Sequence, residues 1–381
     1  MANSLLRLWL PLSKNGFIRS IDERLFISPY IYNLCSILLK NKSLEEFEAT
    51  LRPILVPNEN AADLSRFSAE TNPFLGNWLR LDYLTKKYKN TDKYNKIEKF
   101  LEEQPNGIPS YQKTLDFFGL SKRNLAERDD IFQKIASKVP SEGSLKELSF
   151  CEILELGGCQ TYGENEFNLF CEEKYIYEFL TKEYIDTLSS YLVSRALHYS
   201  GSLGTKNIKI LEVGAGSGYL ANCLVNHSPL KHHILDTSST DSNKLSISYI
   251  ATDSFSSKTA KNKQYFPVRC ESYVNALSRH QPDIIICSWM PMGDDWTSIF
   301  RQFTTTKEYI MIGEAFDGCC GHNWYTWGNE SEKPTSDQSE VPLYEKDGFH
   351  KQPLVFSDYQ ICRYDNQVLA GHTSTYTFKK Q

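Results

Sequence analysis

The sequence predicts an α/β fold: a parallel sheet covered by helices on both faces and finished by an antiparallel pair, behind a mainly helical N-terminal half. Three observations predict it. After residue 200 short β-rich runs alternate with helical ones, which argues for a parallel sheet. A glycine-rich turn, "ILEVGAGSGYLA" (210–221), joins the first such run to the first such helix. Near the end, "YQICRYD" (359–365) and "STYTFKK" (374–380) alternate polar and apolar residues and read as a hairpin-like antiparallel pair.

The elements follow in chain order. "SPYIYNLCSILLKN" (28–41), "NWLRLDYLTKKY" (77–88) and "NKIEKFLEEQ" (95–104) carry apolar residues at helical spacing, with Ser28 as a cap and Pro105 as a stop. The segment 172–197 is the strongest helical pattern before "YSGSLG" ends it. Residues 1–150 are therefore expected to form a helical domain, 151–200 a connecting helical segment, and 201–381 the sheet domain. Within the last, 208–213, 246–252, 265–270, 283–289 and 308–314 are the expected strands. Residues 217–226, 272–280 and 294–303 are the expected helices between them.

Composition narrows the class. The 381 residues are 40% hydrophobic and 13% aromatic, enough for a sizeable core, and the net charge of −5 is no footprint for a nucleic-acid backbone. No run reaches the roughly 18 apolar residues of a membrane helix. Ten cysteines are scattered without a C-x-x-C pair. Cys270, Cys287 and Cys362, inside strand-like runs, read as small buried hydrophobes of a reduced compartment, and no metal is expected. The first 20 residues carry Arg7, Lys14 and Arg19 and no acid, a weak transit-peptide pattern. An ordinary first helix stopped by Pro11 is the favoured reading, with a cytoplasmic location expected and a mitochondrial one the alternative.

A strand feeding a helix through glycines brings backbone close to a ligand and aims N–H groups at it. A phosphate-binding P-loop needs Lys-Ser/Thr where Tyr219 and Leu220 stand. A dinucleotide turn needs a third glycine where Tyr219 stands. The pattern present is E-x-G-x-G-x-G: Glu212, Gly214, Gly216, Gly218.

This stretch resembles motif I of the class I, Rossmann-like S-adenosylmethionine-dependent methyltransferases. The resemblance covers about half of the chain. It implies a seven-stranded sheet with a terminal antiparallel pair, and S-adenosylmethionine as cofactor. It also implies that Glu212, Gly214, Ala215, Gly216 and Gly218 bind that cofactor, the acid near its amino group. The family's second strand ends in an acid that holds the ribose hydroxyls. Asp253, after "SISYIAT", is preferred and Asp236, in "HHILDTSS", is the alternative; the first choice makes 227–245 a polar insertion. The third strand's end, Cys270-Glu271-Ser272, matches the adenine region, with Glu271 as candidate acceptor for the exocyclic amine.

The fourth strand runs into "CSWMPMGDDWT" (287–297). Some amino-group methyltransferases carry a polar-Pro-Pro-aromatic motif here. Ser288-Trp289-Met290-Pro291 keeps the Ser and one Pro but not the pattern, so nitrogen is only slightly favoured as acceptor. Ser288 and Trp289 are cofactor- and acceptor-facing candidates; Trp289, Met290 and Trp296 suit a wall around a sulfonium. After the fifth strand, "GEAFDGCCGHNWYTWG" (313–328) offers Glu314 and His322 as proton-handling candidates and aromatics for lining a pocket. The catalytic candidates are thus Ser288, Glu314 and His322. The expected function is methyl transfer to an unidentified protein or small molecule. The alternative is a non-catalytic interaction protein that retains the fold; a nucleotide-binding oxidoreductase ranks third.

Overall fold

The computed structural model describes residues 89–120, 166–204, 207–234, 245–255, 264–315, 320–330, 333–334, 339, 341–363 and 373–380. The expected helices at 28–41 and 77–88, the first 20 residues, Asp236, Cys35, Cys151, Cys159 and Cys319 lie outside them. The chain divides into two compact units. One holds Met1–Lys99, Phe118–Ile176 and Arg363–Gly371; the other holds Phe100–Phe117, Tyr177–Cys362 and His372–Gln381. No helix among the described residues is long and apolar enough to cross a membrane.

In the first unit, α1 (Asp92–Glu102) begins and α3 (Glu166–Lys174) lies. Tyr94 donates its hydroxyl to Glu173, packs on Phe170 at 5.6 Å, and Lys174 pairs with Glu98 at 2.7 Å. The helix expected at 95–104 is thus present, three residues earlier.

The second unit contains α2 (Tyr111–Phe118) up to Phe117, and then α4 (Lys182–Leu203) and the sheet. Its strands are β1 (Asn207–Val213), β2 (Ser246–Asp253), β3 (Val268–Cys270), β4 (Ile284–Ser288), β5 (Glu308–Glu314), β6 (Phe349–Pro353) and β7 (Thr373–Lys380). Their order is β3-β2-β1-β4-β5-β7-β6. The first five are parallel, β7 runs antiparallel to β5, and β6 antiparallel to β7. The helices α5 (Tyr219–His227), α6 (Tyr273–His280) and α7 (Thr297–Gln302) follow β1, β3 and β4, and α8 (Leu343–Lys346) precedes β6.

The reason for the parallel set is legible in β4 and β5. Both are apolar along nearly their whole length, and β5 is buried at every residue. On one face Ile185, Leu188, Leu192 and Ala196 of α4 pack against Ile208, Ile210, Ile284, Ile286, Ile310 and Ile312. Each large aliphatic side chain so buried contributes about 1.5–3 kcal/mol relative to exposure. On the other face Tyr309 stacks on Phe378 at 4.5 Å and meets the edge of Phe300 at 5.9 Å.

Several expectations are corrected. The antiparallel pair is β6 with β7; residues 359–363 form no strand, and Cys362 makes only an isolated bridge with Glu178. "FHKQP" buries Phe349 and leaves His350, Gln352 and Pro353 exposed, so no alternation announced it. The strongest helical pattern, 172–197, is two helices. Lys174 ends the first, Tyr175 turns left-handed at φ 55°, and Thr181 caps the second by accepting from the Tyr184 N–H. The third strand is 268–270 rather than 265–270. Cys270, at its end, is exposed, not buried; Cys287 and Cys362 are buried as expected.

Candidate functional site

Parallel strands put their C-terminal ends, and the loops beyond them, on one edge of the sheet. The turn after β1 occupies that edge. Gly214, Gly216 and Gly218 all have positive φ, at 69°, 54° and 72°. Gly218 is forced twice over: a Cβ there would lie 2.8 Å from Val268 Cγ2 and 2.9 Å from Phe266 Cβ. At Gly214 it would stand 3.2 Å from Trp296 Cζ3, and at Gly216 it would meet nothing within 4 Å. The backbone at Gly216 is therefore open to close approach.

The end of β2 completes the turn. Register pairs Val213 with Thr252, which sets Asp253 one residue beyond the paired end of β1. The Ala215 N–H donates to the Thr252 carbonyl (3.0 Å), and the Gly216 N–H donates to Asp253 Oδ2 (2.9 Å). The Phe255 N–H donates to Asp253 Oδ1 at 2.6 Å. Of the two acids weighed for the second strand's end, Asp253 is the one that terminates the strand beside β1; Ile234 makes only an isolated bridge to Ile247.

Glu212 is 2% exposed. Its Oε2 accepts the Tyr249 hydroxyl at 2.7 Å, and Tyr249 is the one side-chain donor to it among the described residues. Burial pushes its carboxyl up to about 7; the Tyr249 bond pulls against this, and the Asp253 charge adds to it. A buried carboxylate with one neutral donor and no cation is poorly compensated. It suits a ligand that brings a cation. The open backbone at Gly216 and the acid at Asp253 suit the rest of a ligand with an amino-acid end and a sugar diol. The residues present therefore fit S-adenosylmethionine.

The other candidates divide. Glu271 is held by its own following helix, Oε1 by Arg279 (2.8 Å) and Oε2 facing His280 Nε2 (3.2 Å). Ser288 is the last residue of β4 and half-buried. Trp289 is left-handed at φ 55°, an unusual conformation for a bulky residue. Its backbone N–H reaches the Ile312 carbonyl (2.8 Å), its indole N–H reaches Glu178 Oε2 (3.1 Å), and its ring lies 5.3 Å from Tyr177. Glu178 also accepts from Gln360 Nε2 and Thr373 Oγ1. Trp296, beside Gly214, stacks on Tyr273 at 4.7 Å and 10°. Met290 is buried and its sulfur accepts the Trp296 N–H.

Glu314 ends β5 fully buried. Gly313 before it has φ 148°, and a Cβ would come 2.5 Å from Cys320 Sγ. His322 Nδ1 accepts the backbone N–H groups of Trp324 and Tyr325, both at 3.2 Å, so the neutral ring carries its proton on Nε2. Burial lowers its pKa, with the Asp295 charge opposing. Trp324 and Trp327 are buried rather than lining an open wall; Trp327 lies against Tyr376 and Phe378 of β7 and donates to the Cys320 carbonyl. Backbone bonds from Gly321 to Met290 and from Gly293 to Gly321 lace this loop to the one after β4.

The structure thus gathers Glu212, Gly214, Ala215, Gly216, Gly218, Asp253 and Trp296 around one turn, and places Ser288, Trp289 and Glu314 at the ends of the two neighbouring strands. Sequence reasoning missed Tyr249, Glu178 and Tyr273. Tyr249 was signalled in principle, since Tyr249, Ala251 and Asp253 share one face of a strand. Glu178 and Tyr273 carried no signal of their own.

A central β1, a five-stranded parallel set, a terminal antiparallel pair, and a glycine turn beside an acid define a Rossmann-like fold of the class I methyltransferase type. No family model matches the chain, and no curated protein matches it. Among solved structures, it is similar to the DszA carbon methyltransferase (12% identity, 89% of this chain and 97% of that one, TM-score 0.33). It is also similar to the methyltransferase domain of a bacterial Hen1 (16%, 49% and 96%, TM-score 0.24). A third likeness is to an O-methyltransferase family protein from Burkholderia thailandensis (8%, 100% and 98%, TM-score 0.26). At such TM-scores these likenesses carry no argument about fold, activity or acceptor.

Proposed function

We propose that this chain is an S-adenosylmethionine-dependent methyltransferase. The observation that carries the reading is the turn at the C-terminal end of β1, left-handed at three glycines, with the Asp253 carboxylate bonded to its Gly216 N–H. On this reading Asp253 holds the ribose hydroxyls, since a carboxylate accepts two hydrogen bonds at once. Glu212 holds the ammonium group, and the backbone of Gly214, Ala215, Gly216 and Gly218 lies against the methionine end and the sugar. Trp296 and Tyr273 form an aromatic surface beside the turn.

When bound, the cofactor supplies a methyl group activated on a sulfonium. The protein's part is alignment and exclusion of water. Trp289, fixed by Glu178 and Tyr177, forms a rigid wall at the end of β4. The Ser288 hydroxyl, half-buried at the end of β4, is the polar group offered to a protein or small-molecule acceptor; the Glu314 carboxyl, fully buried at the end of the adjacent β5, is closed to one. Glu271 is assigned to anchoring α6. His322 is assigned to capping its loop: taking a proton on Nδ1 would forfeit two backbone hydrogen bonds.

The test is calorimetric titration of the full chain with S-adenosylmethionine and S-adenosylhomocysteine, with NAD as control. Binding of the first two and not of NAD, abolished in a folded Gly214→Arg variant, is the expected result. A folded wild-type protein that binds neither overturns the reading.

A further inference from the structure

Glu212 sits between two strands, opposite Ala251 on β2 and Ile286 on β4. Ala251 presents only a methyl group. That leaves space across which Tyr249, two residues earlier on the same face, reaches Glu212 Oε2 at 2.7 Å. Tyr249 is steadied in turn by the edge of the Phe266 ring at 6.3 Å. Glu212 Oε1 has no hydrogen-bond partner among the described residues.

The titratable groups that interact electrostatically with Glu212 come from three elements: Tyr249 and Asp253 from β2, Cys223 from α5, and Cys287 from β4, the last level with Val213 and on the opposite face of the sheet. Burial pushes the Cys223 thiol up to about 12 and Cys287 upward also, so both are neutral at physiological pH. Asp253 is the charged neighbour, and it repels. No Lys, Arg or His among the described residues pairs with Glu212.

We infer that Tyr249 is a positioning residue for ligand capture: its hydroxyl fixes one oxygen of Glu212 and leaves the other for the ammonium group of an amino-acid ligand, making capture of that group proton-linked. The inference rests on the methyltransferase reading for the identity of the ligand. Its physical content is narrower. A cation favours the ionised carboxylate, and so does the Tyr249 O–H. Ligand binding near neutrality therefore expels a proton from Glu212. Removing the hydroxyl moves the Glu212 titration further up, because its hydrogen bond is the influence holding that titration down.

The experiment is calorimetry of the full chain with S-adenosylhomocysteine between pH 6 and 8.5, in two buffers of different ionisation enthalpy. The control ligand is 5′-methylthioadenosine, which lacks the ammonium. The wild type is expected to release about half a proton on binding S-adenosylhomocysteine at pH 7, where Glu212 is half protonated, and to lose affinity as pH falls below about 7. The control ligand releases none. Tyr249→Phe is expected to weaken binding about tenfold at pH 7, with the gap closing by pH 8.5, as loss of a hydrogen bond to a charged group implies.

Wild-type binding without proton release overturns the inference while leaving the methyltransferase reading intact. So does a Tyr249→Phe defect of equal size at every pH, which is what a merely structural role would produce. Absence of S-adenosylhomocysteine binding at every pH sinks the reading itself. The proton-release measurement needs no variant, so it decides the matter even if Tyr249→Phe does not fold.

Discussion

The backbone N–H of Gly216 donates to the carboxylate of Asp253, 37 residues away, at 2.9 Å. One bond joins the centre of the glycine turn to the end of the neighbouring strand, and the Phe255 N–H holds the other carboxylate oxygen. Asp253→Asn keeps one acceptor and turns an NH₂ toward the other donor. Hydrogen bonds to charged groups contribute about 1.5–3 kcal/mol, so urea unfolding should report a loss of that order. Calorimetry should report a much larger fractional loss of S-adenosylhomocysteine affinity.

The three turn glycines should not tolerate alanine equally. Each substitution forces a left-handed residue, at roughly 1–2 kcal/mol. Gly216→Ala should cost little more, because a Cβ there meets nothing within 4 Å. Gly218→Ala adds overpacking against Val268 and the Phe266 backbone side, about 1–3 kcal/mol further. Thermal melts of the series should rank Gly218→Ala lowest, Gly214→Ala between, and Gly216→Ala nearest the wild type. The reverse order would mean that the turn packs differently.

Glu212 makes stability depend on pH in the ligand-free protein. Its folded pKa is raised from 4.5 to about 7, so the fold prefers the protonated carboxyl. That preference is fully available below about 4.5 and is lost as pH rises through about 7. Over this window the loss is on the order of 3 kcal/mol. Glu212→Gln, neutral throughout, should therefore be more stable relative to wild type at pH 8 than at pH 5. Unfolding free energies in urea at the two pH values check it, and parallel profiles would refute the burial account.

Glu308, fully buried at the start of β5, accepts from Tyr191, Arg195, Tyr199 and Thr377. The network ties α4 to the sheet at the edge where β5 starts, opposite the glycine turn. Glu308→Ala leaves a half-buried Arg195 and three hydroxyls without their acceptor. Breaking a buried pair costs about 3–5 kcal/mol. Where the variant still folds, its affinity for S-adenosylhomocysteine should match the wild type, since nothing at the turn has changed.

The parts of the site that were legible lie within a few residues of one another. Glu212, Gly214, Gly216 and Gly218 span one turn, and their need for positive φ is local. Asp253 required only that "SISYIAT" be the second strand, and its apolar, β-branched content said so. Tyr249 was not picked out, because a Tyr in a strand is ordinary until the residue across from Glu212 turns out to be Ala251. Trp289 read as a wall residue, but its left-handed backbone and its bond to Glu178, 111 residues away, had no local mark. The strand β6 escaped because "FHKQP" is stabilised by pairing with β7, not by its own pattern.

What the sequence by itself determined was the run of parallel strands and the glycine turn between β1 and α5. Periodicity and glycine placement act through φ, ψ and side-chain direction, which each short stretch carries within itself. What only the tertiary structure decided was which distant groups share a space: Tyr249 with Glu212, Glu178 with Trp289, Tyr273 with Trp296, and four donors with Glu308. Those pairings come from strand register and from how helices settle on a closed core. Hydrogen bonds and ring contacts act over a few ångströms, so the register decides which of them form.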